Sequence, residues 1–216
     1  MLIKVVSEFV GTLFLVMVVL GSGVMGENLF PGQVGVALLV NSLATGAGLY
    51  ALIKSFSAIS YAHFNPVVSI LEYFSKRLTF SQFFFFIFAQ LFGAYLGVLL
   101  VHLMFNLTPF VISDVNRSGN HLLLSEFIAT FGLIGVIKLS EKAKNSSTAF
   151  SVACYIGAGY WFTSSTALTN PAVCFARLFT NTFGGMAPVH YFPILISQFL
   201  GAYIAWVLLK KIENES

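Results

Sequence analysis

Charge is what this sequence has least of. Asp, Glu, Lys and Arg make up 9% of its 216 residues, while 57% are hydrophobic. A soluble domain carries roughly 25% charged residues, so this chain cannot cover a water-facing globule of its size. Cysteine is nearly missing as well. Cys154 and Cys174 both lie in apolar surroundings, which excludes a disulfide framework and fits small buried thiols. No basic and aromatic constellation exists of the kind nucleic acid needs. No glycine-rich nucleotide loop follows a strand pattern. His102, His121 and His190 fall near the ends of apolar runs with no metal-ligand spacing, so neither a metal nor a cofactor is expected.

What the chain does have is long apolar runs: Leu2–Met25, Val34–Ile53, Leu78–Asn106, Leu122–Ile137, Thr148–Leu168 and Val189–Leu209. Crossing the hydrocarbon core takes roughly 20 apolar residues, so six membrane spans are expected, the fourth and fifth near the short limit. The first run is too long for a cleaved leader and contains Glu8, so it reads as a retained helix. Six spans put both termini on one side. Lys4, Lys54, Lys76, Arg77, Lys138, Lys142, Lys144, Lys210 and Lys211 then share that side, with only Arg117 and Arg177 opposite. The richer side is expected to be cytoplasmic.

The chain also repeats itself. SEFVGT (Ser7–Thr12) returns as SEFIAT (Ser125–Thr130), HFNPVV (His63–Val68) as LTNPAV (Leu168–Val173), and QLFGAY (Gln90–Tyr95) as QFLGAY (Gln198–Tyr203). Three landmarks in one order predict two repeats, about 1–106 and 121–211, within a single domain covering residues 1–216. Each repeat holds three spans, an odd number, so the second sits inverted. Inverted repeats place a shared site near the bilayer midplane, built from interrupted helices.

Asn65-Pro66 and Asn170-Pro171 supply the interruption. Asn suits an N-cap and Pro the first helical position. Short helices are predicted over about Asn65–Tyr73 and Asn170–Leu178, neither long enough to span. Entering from opposite sides, they would meet N-terminus to N-terminus. Their positive dipole ends, each equivalent to roughly half a charge, would disfavour a cation at mid-membrane. The two asparagine amides would donate into the gap. That combination suits neutral polar solutes in single file, and it interrupts a proton-conducting chain of water.

The twin Asn-Pro motifs, AHFNP, the paired SEF and the paired GAY together resemble the aquaporin family over essentially the whole chain, Val5–Leu209. The resemblance implies an all-α membrane fold of six helices and two re-entrant half-helices, one pore per subunit and a homotetramer. It places Asn65, Pro66, Val67, Asn170, Pro171 and Ala172 at the pore constriction. It makes Glu8, Glu126 and His63 braces for the two re-entrant loops. Two positions depart from the family pattern. Val67 stands where most members have alanine. Val173 stands where water-selective members have the filter arginine. Arg177, one turn on, either lies at the outer mouth and partly replaces that charge, or is an edge or interface arginine. Counting from the motifs puts the other filter positions at Thr45, Ala158 and Ala167. Such a filter is wide, weakly polar and free of fixed charge.

The function that follows is passive passage of small uncharged solutes larger than water, as in channels associated with bacterial arsenic resistance. Metalloid acids such as arsenite or methylated arsenicals, glycerol-like polyols and water are the expected solutes. A water-selective channel is the alternative. A charge-coupled transporter or an intramembrane enzyme fits least, because no ionisable group or Ser-His pair is left over for it. The setting is a bilayer, with a bacterial inner membrane expected from the residue usage, and with no nucleic-acid partner.

Overall fold

A computed structural model of the chain describes residues 1–143 and 147–215, with side chains through 212. Lys144, one of the charges used to orient the chain, lies outside the described residues. The regular structure of the described residues is all helical: α1 (Leu2–Leu29), α2 (Val34–Phe56), α3 (Pro66–Phe74), α4 (Phe80–Met104), α5 (Asn120–Lys142), α6 (Thr148–Phe162), α7 (Pro171–Arg177) and α8 (Tyr191–Glu215). A single 3-10 turn over Pro188–His190 precedes α8. The long helices are apolar all round, as expected of helices that pack inward and face lipid outward. Val16, Val98 and Val101 are buried, while Leu43, Phe84, Phe88 and Leu103 are exposed.

Five helices are long and apolar enough to cross a membrane: α1, α2, α4, α5 and α8. The expected fifth run, Thr148–Leu168, departs from this. Its helix stops at Phe162 after 15 residues, about 22 Å of rise. At its end Thr163 turns extended, and its hydroxyl bonds back to the Gly159 carbonyl at 2.7 Å. The rest of that apolar run is irregular chain leading to Asn170.

The repeated landmarks explain how the halves are assembled. In each repeat the SEF helix packs against the GAY helix, α1 on α4 and α5 on α8. A Cβ at Gly93 would sit 2.4 Å from the Phe9 carbonyl oxygen, and one at Gly201 would sit 2.2 Å from the Phe127 carbonyl oxygen. Only glycine lets these backbones approach so closely, as small residues do between membrane helices. Three residues before each glycine stands a buried glutamine. Gln90 Nε2 donates to Glu8 at 2.8 Å and Gln198 Nε2 to Glu126 at 2.6 Å. The same helix pair thus carries both the close contact and the polar brace at membrane depth.

Candidate functional site

Asn65 and Asn170 cap the two half-helices as expected. Both are extended, at φ −152° and −147°. Asn65 Oδ1 accepts from Val67 N at 3.0 Å, and Asn170 Oδ1 accepts from Ala172 N at 2.9 Å. Pro66 and Pro171 follow at the first helical position, where a missing N–H costs nothing. Val67 and Ala172 are fully buried, Val67 in a cluster with Ile134, Ala202 and Ala205.

The two asparagines are laced together. Asn65 Nδ2 donates to the Thr169 carbonyl at 2.8 Å, and Asn170 Nδ2 donates to the Phe64 carbonyl at 2.8 Å. Each amide therefore binds the residue just before the other asparagine. This corrects the picture of both amides aimed wholly into the gap. An amide nitrogen carries two hydrogens, and each of these bonds uses one of them. Both asparagines border a cavity of about 550 Å³ that continues along the inner faces of α2 and α6.

The loops before the asparagines share an unusual backbone. Residues four, three and one before each asparagine have positive φ: Tyr61, Ala62 and Phe64 at 79°, 50° and 48°, and Thr166, Ala167 and Thr169 at 65°, 48° and 46°. None is glycine, so each costs on the order of 1–3 kcal/mol unless its surroundings impose it. Glu8 and Glu126 impose it. Glu8 accepts from His63 N and Phe64 N at 3.0 and 2.8 Å, from Ser60 Oγ at 2.8 Å and from Gln90. Glu126 accepts from Leu168 N and Thr169 N at 2.8 and 2.9 Å, from Ser165 Oγ and from Gln198. Both carboxylates are completely buried. His63 Nδ1 pairs with Ser69 Oγ at 3.1 Å, its ring stacks on Tyr61, and it borders the cavity.

Of the four filter positions read from the sequence, Thr45, Ala167 and Val173 border the cavity together. Ala158 does not. It lies on an exposed face of α6, whose cavity side is formed by Val152, Ile156 and Tyr160. Counting back from Asn170 cannot register a helix separated from it by seven irregular residues. Tyr160, which the sequence reading missed, meets Thr45 hydroxyl to hydroxyl at 3.1 Å.

Arg177 is buried and borders the same cavity. Its Nη1 donates to the Gly184 carbonyl at 2.9 Å. Arg117, from the chain between α4 and α5, donates to the Gly185 and Phe183 carbonyls at 2.7 and 3.1 Å. Burial, then the nearby charge of Arg177, lowers Arg117 to about 10, so it stays protonated near neutrality. At the opposite mouth Glu72 is held between Lys138, at 2.5 Å, and Arg77. No group of three His, Cys, Asp or Glu able to hold a metal occurs among the described residues.

The chain has counterparts among known proteins. Residues 1–163 match the family described as Major intrinsic protein. Aquaglyceroporin AqpS of Rhizobium meliloti (strain 1021) is 41% identical over 207 residues, covering 96% of this chain and 88% of that protein. This chain belongs to the major intrinsic protein family. It is an integral membrane protein and a passive channel for water and small uncharged solutes. Within the family, Aquaporin NIP3-1 of Arabidopsis thaliana is 34% identical over 157 residues, 68% of this chain and 48% of that protein. The X-ray structure of the aquaglyceroporin from Plasmodium falciparum superposes with a TM-score of 0.74 at 18% identity. That alignment covers 98% of this chain and 96% of that one, and shows a shared aquaporin fold.

Proposed function

We propose that this channel passes neutral, hydroxyl-rich solutes larger than water, along with water itself. Glycerol-like polyols and undissociated metalloid acids, such as arsenite or methylated arsenicals, are the solute class. The observation that carries this reading is Val173. It stands three residues after Asn170, borders the cavity, and puts an isopropyl group where a guanidinium would narrow the path. Thr45 and Ala167, the other sequence-read filter residues on the cavity, are also small. A hydrophobic wall with a few donors rejects a larger neutral solute weakly, because missing bulk costs it little. The name of the Rhizobium meliloti relative, an aquaglyceroporin, points the same way.

In this reading Glu8, Glu126 and His63 hold the loops in their strained form, and Asn65 and Asn170 bind the solute at the midplane. The working unit is a homotetramer in a bacterial inner membrane with both termini cytoplasmic. The second reading is a water-selective channel. Tyr160 favours it, because a phenol bulkier than the expected Ala158 stands on the cavity wall.

Stopped-flow light scattering on proteoliposomes decides between the two. Under a hypertonic glycerol step, wild-type vesicles are expected to shrink and re-swell, and Val173→Arg to shrink without re-swelling. Wild-type vesicles that shrink quickly yet re-swell no faster than empty ones would establish the water-selective reading. Metalloid acids are the next solutes to test.

A further inference from the structure

Losing the filter arginine raises a physical problem. Val173 widens the path but removes the positive charge that turns cations away. The pair of half-helix dipole ends, each equivalent to roughly half a charge, is a weaker barrier than a full charge.

We infer that Arg177 is the charged member of this channel's outer selectivity station, one helical turn outward of the filter position that Val173 occupies. The inference rests on the wide-filter reading above and says how such a filter stays closed to cations. Four residues along α7 is about 6 Å of rise. Arg177 borders the channel cavity with Thr45, Tyr160 and Val173. It is 4% exposed, and no ion-pair partner for it occurs among the described residues. A buried arginine is normally paired with a carboxylate; this one has the Gly184 carbonyl instead. Its Nε is buried and without a hydrogen-bond partner among the described residues. A buried guanidinium whose Nε has no partner and whose charge has no counter-ion is an uncompensated positive charge beside the channel. Tyr160 and Thr45, bonded to each other at 3.1 Å, add two hydroxyls to the same station.

The position separates charge from calibre. The bond to Gly184 ties the guanidinium to the outer loop, where Arg117 fixes the flanking carbonyls of Phe183 and Gly185. The arginine is thus held back from the ring formed by Thr45, Ala167 and Val173. A neutral solute passes that ring without displacing a guanidinium. A cation must still pass an uncompensated positive charge in a low-dielectric wall, where repulsion is stronger than in water.

The test uses full-length protein in proteoliposomes, with proton and sodium leak measured by entrapped dyes beside glycerol re-swelling. Wild type is expected to hold both ion gradients as long as empty vesicles do. Arg177→Gln is expected to leak protons or sodium roughly tenfold faster or more, whichever way its glycerol flux changes. Arg177→Lys should stay tight. Arg177→Met, which keeps the stem, replaces the glutamine variant if that one fails to reconstitute. An uncharged variant that conducts water but leaks no faster than wild type overturns the inference. So does a wild type that dissipates a sodium gradient while passing glycerol. Wild type that carries water but not glycerol defeats the wide-filter reading alone, and the ion leak of the variants still judges Arg177.

Discussion

Replacing Glu8 by glutamine tests the brace on which the pore depends. Four donors converge on the two oxygens of Glu8: Ser60 Oγ and His63 N on one, Phe64 N and Gln90 Nε2 on the other. A glutamine keeps one oxygen and turns the other into an NH2. Whichever way it faces, two bonds to the carboxylate are lost: one backbone N–H, His63's or Phe64's, meets hydrogens, and the Ser60 hydroxyl or the Gln90 amide must turn to accept instead of donate. Hydrogen bonds to a charged group contribute about 1.5–3 kcal/mol each, so two lost bonds amount to about 3–6 kcal/mol. That is comparable to the strain held at Tyr61, Ala62 and Phe64, three positive-φ residues at about 1–3 kcal/mol each. The expected result is a relaxed loop, and with it the loss of the Asn170 amide bond to the Phe64 carbonyl. Water permeability in vesicles should fall to near the empty-vesicle level, and the unfolding midpoint in detergent should drop by several degrees. Glu126→Gln should do the same through the other loop. If Glu8→Gln keeps wild-type permeability and a midpoint within about one degree, the carboxylate is not what holds the loop, and the reasoning fails.

Two further expectations test the packing. Gly201→Ala puts a methyl group 2.2 Å from the Phe127 carbonyl oxygen, a backbone atom that cannot yield alone. It should lower stability by about 1–3 kcal/mol, seen as a lower unfolding midpoint. Ile156→Trp fills the cavity side of α6 and should block solute flux, whereas Ala158→Trp on its exposed face should leave flux within about twofold of wild type. Light scattering on both variants checks this, and equal effects would put the α6 register in error.

How far the site was legible in the sequence depended on distance along the chain from a motif. Residues adjacent to an asparagine have positions on their half-helices that the sequence could register, because N-cap geometry ties Pro66, Val67, Pro171, Ala172 and Val173 to their caps within one turn. Ala167 was reachable for a different reason: it lies only three residues before Asn170, too short a stretch to leave the asparagine's neighbourhood. Ala158 was not. Between it and Asn170 run Thr163–Thr169, and irregular backbone carries no fixed angle per residue. An error of two residues on a helix rotates a side chain by about 200°, enough to exchange the pore for the exposed side. Gln90 and Gln198 stood in plain view inside a repeated motif. Repetition marked them as important, yet nothing local indicated that they reach Glu8 and Glu126 on the packed helix.

By itself the sequence determined the solvent, the number of repeats and the place where the helices break. Those follow from composition, from repeated landmarks and from Asn-Pro chemistry, all local or additive properties. Only the tertiary structure decided that each asparagine amide binds the opposite loop, that Tyr160 and not Ala158 faces the cavity, and that Arg177 borders it with one nitrogen unpaired. These depend on how the two halves of the chain close on each other. Hydrogen bonds spanning more than a hundred residues, such as Asn65 to Thr169 and Asn170 to Phe64, leave no periodic trace in either segment.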